Sequence, residues 1–223
     1  MKKINLKFDT GSDKKILIDR KFLEDKCNSV PYIYIRIPRT GSTSISKVLA
    51  SQGSWPHFYA SLVRDLIGET SYSEKFVFAS VRNPWDRLVS WYHFNCHDTR
   101  ADDKQKQKYK SLGFKGWIME SCPHVGWKPH HFAHQPENPI SQLSWITDND
   151  GKIIVDHFVR LESLQSDLEQ IKDKLGLSNL RVPVLNQSDK RKEKNYRTYY
   201  DQETKNKVFK LFEEDIRVFK YEF

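Results

Sequence analysis

The spacing of apolar positions changes along this chain, and the changes mark its elements. From Tyr32 the side chains alternate, with Ile33, Ile35 and Ile37 set against Tyr32, Tyr34 and Arg36. That is the period-2, β-branched pattern of a strand. Pro38 has no N–H to donate and stops the ladder. After Arg39, Thr40, Gly41, Ser42, Thr43 and Ser44, the spacing of Ile45, Val48 and Leu49 is helical. Tyr59–Ile67 predicts another helix, and Phe76–Val81 is apolar throughout apart from Ser80, as in a strand buried on both faces. Asn83 and Pro84 then open a helix as N-cap and first helical residue, and the helix runs on through Trp85, Leu88, Val89 and Tyr92. Ile153–Val159 predicts a third strand. Leu161, Leu164, Leu168, Ile171 and Leu175 step by three or four towards Gly176, an amphipathic helix with its stop signal. A final helix is expected over about 202–215.

Strands alternating with helices indicate an α/β fold with a mostly parallel central sheet flanked by helices. In such a sheet ligands gather at the C-terminal edge, where Arg39 and Arg82 both fall. The rest of the chain is less regular. Residues 1–30 read as an N-terminal decoration, with Lys15–Ile18 strand-like. Asp98–Ser111 has almost no apolar side chain and predicts a polar surface loop or polar helix. Residues 112–147, rich in Trp, His and Pro, predict irregular structure.

At 223 residues one domain with a sizeable core is expected. The formal net charge of +8 suits an anionic ligand, although a basic surface also serves solubility. Cys27, Cys96 and Cys122 are widely spaced and odd in number, which argues against a disulfide framework or a zinc module and for a reducing setting. The basic N-terminus has no apolar signal core, and no segment reaches membrane-spanning length. A cytoplasmic protein is the expectation; its oligomeric state is open.

Two segments carry chemistry. In the first, the free N–H groups at a helix start, with Gly41 admitting close approach and Arg39 adding a cation, suit a phosphate or sulfate. The loop is not a Walker A sequence, which needs a second Gly followed by Lys-Ser/Thr. The competing reading is an ordinary strand-to-helix turn with a Ser/Thr cap. In the second, Phe76–Tyr92, Arg82 at a strand end and Ser90 two helical turns further on can bind a second phosphate. The competing reading pairs Arg82 with Asp86 and leaves Ser90 as a small helix residue.

Together the two segments resemble the sulfotransferases that use 3′-phosphoadenosine 5′-phosphosulfate (PAPS), most closely the Golgi-type carbohydrate enzymes and their bacterial and viral relatives. Ile37–Ser44 matches the family's IPKTGSTS-type loop, and VRNPWDRLVSWY (Val81–Tyr92) matches its VRNPxxRxxSxY segment. VDHFVRLESLQSDLEQI, VPVLNQSDKR and DIRVFKYEF resemble its closing segments, so the likeness runs from about Tyr32 to Phe223. It implies a P-loop-like three-layer fold. It assigns the 5′-phosphosulfate to Arg39, Thr40, Gly41, Ser42, Thr43 and Ser44, and the 3′-phosphate to Arg82 and Ser90. Arg191 falls in the basic run 189–197, which matches the family's nucleotide-side loop. The family usually has Lys at Arg39; arginine keeps its proton, so the implied role is charge stabilisation rather than proton delivery.

The resemblance implies in-line sulfuryl transfer to an acceptor hydroxyl, most simply of a carbohydrate, without a metal. Related enzymes often place a histidine where His57 stands, which makes it the candidate general base. His124, His130, His131 and His134 with Cys122 lack a settled zinc spacing. Two other classes remain. A P-loop kinase-like phosphotransferase would need a Walker lysine and a magnesium-binding carboxylate, for which Asp156 is poorly placed. A non-catalytic polyanion or nucleic-acid binder would suit the basic, aromatic composition, but no nucleic-acid motif is present and no nucleic-acid partner is expected.

Overall fold

Two of the three expected core strands form where the pattern puts them. β3 (Tyr32–Ile35), β4 (Phe76–Val81) and β5 (His157–Arg160) lie side by side in that order, all parallel. The register pairs Ile35 with Ala79 and Val81 with Arg160. The computed structural model describes residues 6–8, 16–18, 20–49, 55–97, 103–121, 140–178, 180–182 and 193–223. At the start of the chain, β1 (Leu6–Phe8) and β2 (Ile16–Ile18) form a small antiparallel pair.

Helices connect the sheet. Between β3 and β4 lie α2 (Ser42–Val48), α3 (Ala60–Ile67) and α4 (Glu69–Ser73). After β4 comes α5 (Pro84–His97), and after β5 a 3₁₀ turn leads into α7 (Leu164–Ile171). α7 stops short of the expected Leu175; residues 172–176 continue as turns, and Gly176, at φ 66°, is the left-handed residue that closes them. α8 (Gln202–Leu211) and α9 (Glu213–Phe219) close the chain. The main core gathers the sheet, with Tyr32, Phe78, Trp55, Phe58 and Trp145 buried in it. A second cluster joins α5 to α6 (Asp103–Gly116), α8 and α9 through Trp85, Trp91, Trp117 and Phe212.

Several expectations change in detail. α1 (Arg20–Asn28) is no loose decoration, because Leu23, Cys27 and Val30 are buried in the main core. Of the two readings of the polar stretch, residues 103–111 take the polar helix; Tyr109 and Phe114 anchor that helix, which breaks at Gly113. Trp117–Ser121 continues it as a π-helical turn, so this part of 112–147 is regular. β5 begins at His157 because Ile153 and Ile154 turn back on Thr147 and Ile146, and the Asp156 carboxylate takes the Val77 N–H at 2.7 Å. The last helix is two helices, interrupted at buried Phe212. Among the described residues no helix is long and apolar enough to cross a membrane.

The turn from β3 into α2 depends on one glycine. Gly41 has φ 81°, and a Cβ there would stand 2.5 Å from Leu161 Cδ1. The loop therefore packs directly on the segment that follows β5. Gly41→Ala combines left-handed strain with a clash and is expected to cost about 1–3 kcal/mol of unfolding free energy in urea titration. A loss below about 0.5 kcal/mol would show that the loop is not held in this conformation.

Candidate active site

The loop between β3 and α2 folds around its own backbone. Gly41 is the N-cap of α2, so no Ser or Thr side chain caps the helix. The capping alternative weighed from the sequence is thus not what these hydroxyls do. The Ser44 and Ile45 N–H groups both donate to the Gly41 carbonyl, at 3.0 and 3.2 Å, whereas those of Ser42 and Thr43 have no intrahelical acceptor, which leaves donors at the C-terminal edge of the sheet. Arg39 sits in the left-handed region at φ 67°, uncommon for a residue other than glycine.

Consecutive carbonyls of this loop are held by two arginines of the second segment. Arg87 Nε donates to the Pro38 carbonyl at 3.0 Å, and Arg82 Nη1 donates to the Arg39 carbonyl at 3.3 Å. Arg87 is 1% exposed, and its Nη1 donates to the Ile140 carbonyl. Burial pushes the Arg87 guanidinium down to about 10, opposed by the carboxylate of Asp215, so it stays charged at neutral pH. Asp215, also buried, accepts from the Ser141 hydroxyl at 2.6 Å and from the Gln142 and Leu143 N–H groups at 2.7 and 3.1 Å. Burial pushes its carboxyl up, and those donors and Arg87 oppose the shift.

The side chains of Arg39, Arg82 and Ser90 converge here. Arg39 Nε and Nη2 donate to Ser90 Oγ at 3.0 and 2.7 Å, and the guanidinium lies 4.7 Å from the centre of the Phe94 ring. Arg82 puts Nε and Nη2 on Asp86 Oδ2, at 2.8 and 2.7 Å. The ion pair considered from the sequence therefore forms, while Ser90 is bonded by Arg39 rather than Arg82. Asn83 Oδ1 accepts from the Trp85 N–H, the capping contact expected for it.

Below the loop runs a chain of hydroxyls. Thr40 donates to the Ile37 carbonyl at 2.9 Å, and Ser80 joins Thr40 at 2.6 Å and Tyr34 at 2.7 Å. Since Thr40 has one proton and spends it on a carbonyl, Ser80 donates to Thr40 and Tyr34 to Ser80. Thr40 is fully buried, so its hydroxyl faces the core and only its N–H belongs with the loop donors. Ser42 and Ser44 are nearly buried, and Thr43 is exposed.

His57 lies in the extended segment before α3, half-buried, with Nδ1 2.7 Å from the Arg36 carbonyl. A carbonyl only accepts, so Nδ1 carries the proton and, in the neutral ring, Nε2 carries the lone pair. Arg36 also donates from Nη1 to the Trp55 carbonyl at 3.1 Å, which fixes the segment that presents the histidine.

The structure thus brings together Arg39, Thr40, Gly41, Ser42, Arg82 and Ser90 at one sheet edge. Arg191, Cys122 and the histidines at 124, 130, 131 and 134 lie outside the described residues. Asp156 is at the opposite, N-terminal edge of the sheet, bound to the Val77 N–H, away from this loop. Reading the sequence missed Arg87, although it stands inside VRNPWDRLVSWY, and it missed Gln142 and Asp215 altogether. An arginine in the middle of an otherwise apolar helix face was the available signal for Arg87.

The model of the sulfotransferase family matches residues 27–222 of this chain. Among curated proteins no sequence matches. Among solved structures, mouse sulfotransferase SULT7A1 complexed with PAP is similar in fold, with a TM-score of 0.50 at 14% identity over 93% of this chain and 91% of that chain.

Removing one member of a buried charge group leaves the others uncompensated. Arg87→Leu is expected to lower stability by about 3–5 kcal/mol in chemical denaturation. A loss under about 1 kcal/mol would mean that the guanidinium does not hold the loop.

Proposed function

The chain belongs to the sulfotransferase family, and we propose that it moves the sulfuryl group of PAPS to an acceptor hydroxyl, of a carbohydrate, by in-line displacement. The observation that carries this reading is the convergence of the two segments. Arg82 and Ser90 both contact Arg39, one through its carbonyl and one through its guanidinium. Two cationic, donor-rich positions side by side match one nucleotide with phosphates at both ends. The PAP bound by the mouse sulfotransferase has that character.

In this reading the N–H groups of Gly41, Ser42 and Thr43 cradle the 5′-phosphosulfate, with Arg39 against the bridging oxygen. Arg82 and Ser90 take the 3′-phosphate, which requires Ser90 to turn from Arg39 to the nucleotide. The acceptor oxygen attacks sulfur as the bond from sulfur to the bridging oxygen breaks. The hydroxyl proton passes to His57 Nε2, and the electron pair leaves on the 5′-phosphate of PAP. Charge grows on that oxygen in the transition state, where Arg39 and the loop donors act most strongly. The lone pair on Nε2, set by the bond from Nδ1 to Arg36, supports His57 as the base. A carbohydrate acceptor rests on the likeness of the two segments to carbohydrate-type enzymes.

Nucleotide binding tests the assignment. PAP is expected to raise the melting temperature well beyond AMP at equal concentration, and Arg82→Ala to cost about 2–4 kcal/mol in PAP binding. Equal stabilisation by PAP and AMP removes Arg82 from the 3′-phosphate.

Catalysis tests the base. His57→Ala is expected to lose about 10²–10⁴-fold in kcat with PAP affinity nearly unchanged. With labelled PAPS and a panel of glycans, phenols and small alcohols as acceptors, wild-type turnover and pH profile in this variant would move the base elsewhere.

A further inference from the structure

At Val81 the ladder of β4 runs out on both sides. β3 pairs no further than Ile35 with Ala79, β5 pairs Arg160 with Val81, and the chain turns into a 3₁₀ turn at Leu161. The next residue, Arg82, carries an N–H and a C=O that no strand takes. Gln142 takes both. Its Oε1 accepts the Arg82 N–H at 2.8 Å, and its Nε2 donates to the Arg82 carbonyl at 2.8 Å. A side-chain amide is the group that matches the donor and acceptor of one peptide residue.

Gln142 is itself built in. It is fully buried, and its own N–H donates to Asp215. The tip of Arg82 is fixed separately, on Asp86 and on the Arg39 carbonyl. The guanidinium is thus held at both ends of its side chain: Gln142 takes both polar groups of the Arg82 backbone, and Glu162 takes the N–H of the next residue, Asn83, at 2.7 Å. The anion loop shares one contact with Arg82, at the Arg39 carbonyl, and has a brace of its own from Arg87 to Pro38.

We propose that Gln142 is a positioning residue for the second anion site: it sets the backbone from which Arg82 reaches the 3′-phosphate. The proposal rests on the assignment of Arg82 to that phosphate. Its consequence is selective. Loosening the root of Arg82 weakens recognition of the 3′-phosphate more than that of the 5′-phosphate, whose loop loses one contact at the Arg39 carbonyl but keeps its brace from Arg87 to Pro38.

The test is titration calorimetry of PAP and of AMP into wild-type protein, Gln142→Ala and Gln142→Glu, with thermal melting of each. Displacement of a guanidinium by an ångström costs up to about 10²-fold, so Gln142→Ala is expected to lose about 10–100-fold for PAP and several-fold less than that for AMP. Gln142→Glu keeps an acceptor for the Arg82 N–H but sets a carboxylate against its carbonyl, and the same selective loss is expected. Equal losses for both nucleotides, or an unchanged ratio of PAP to AMP affinity in folded variants, overturn the proposal. Should Gln142→Ala fail to fold, Gln142→Glu and Gln142→Asn, which keep a polar group at this position, decide it by the same ratio. Wild-type protein that binds PAP and AMP alike overturns the assignment of Arg82 itself, and the proposal with it.

Discussion

The grip of Arg87 and Arg82 on the neighbouring carbonyls of Pro38 and Arg39 is the constraint on which the rest of this edge depends. A loop that exposes a row of N–H groups must turn its carbonyls the other way, and here those carbonyls face two guanidinium groups. Burying Arg87 costs desolvation, and single partners rarely repay it. The structure offsets it with two carbonyls and the field of Asp215, itself held by three donors from residues 141–143. The result ties three distant stretches of chain, 82–87, 140–143 and Asp215, to one short loop.

That arrangement explains how the site is preorganised. Catalysis of sulfuryl transfer has little covalent work for the protein and depends on fixed charges placed where charge develops, as in phosphoryl transfer. Arg39 has a left-handed backbone, a glycine beside it packed against Leu161, and its guanidinium settled between Ser90 and Phe94. Arginine rather than the family's usual lysine supplies a wide planar cation that reaches both. It keeps its charge in every step, which suits stabilisation of a leaving phosphate.

The sheet and the loop after its first strand were legible because local signals agree there. Alternating Ile33 and Ile35, the positive-φ demand at Gly41 and the Asn83–Pro84 helix start each specify their own neighbourhood, although the strand ends at Ile35, ahead of the expected stop at Pro38. What stayed hidden was set by contacts far apart in sequence. Nothing near Gln142 announces that its amide will complete the edge of β4, and Asp215 reads as one of three acidic residues at a helix start. The polar run at 103–111 reads equally as loop or helix because its helix is anchored by few apolar residues, chiefly Tyr109 and Phe114. The third strand starts late because Ile153 and Ile154 pair back on Thr147 and Ile146, and Asp156 reaches Val77 with one backbone bond and its carboxylate.

A crystal structure of the protein with PAP is the most direct test that the two segments form one nucleotide site. The account predicts the 5′-phosphate on the N–H groups of 41–43 beside Arg39, and the 3′-phosphate on Arg82 with Ser90 turned towards it. The Pro38 carbonyl should still be held by Arg87. A nucleotide bound with its 3′-phosphate away from Arg82, or with its 5′-phosphate outside the 39–44 loop, would contradict it.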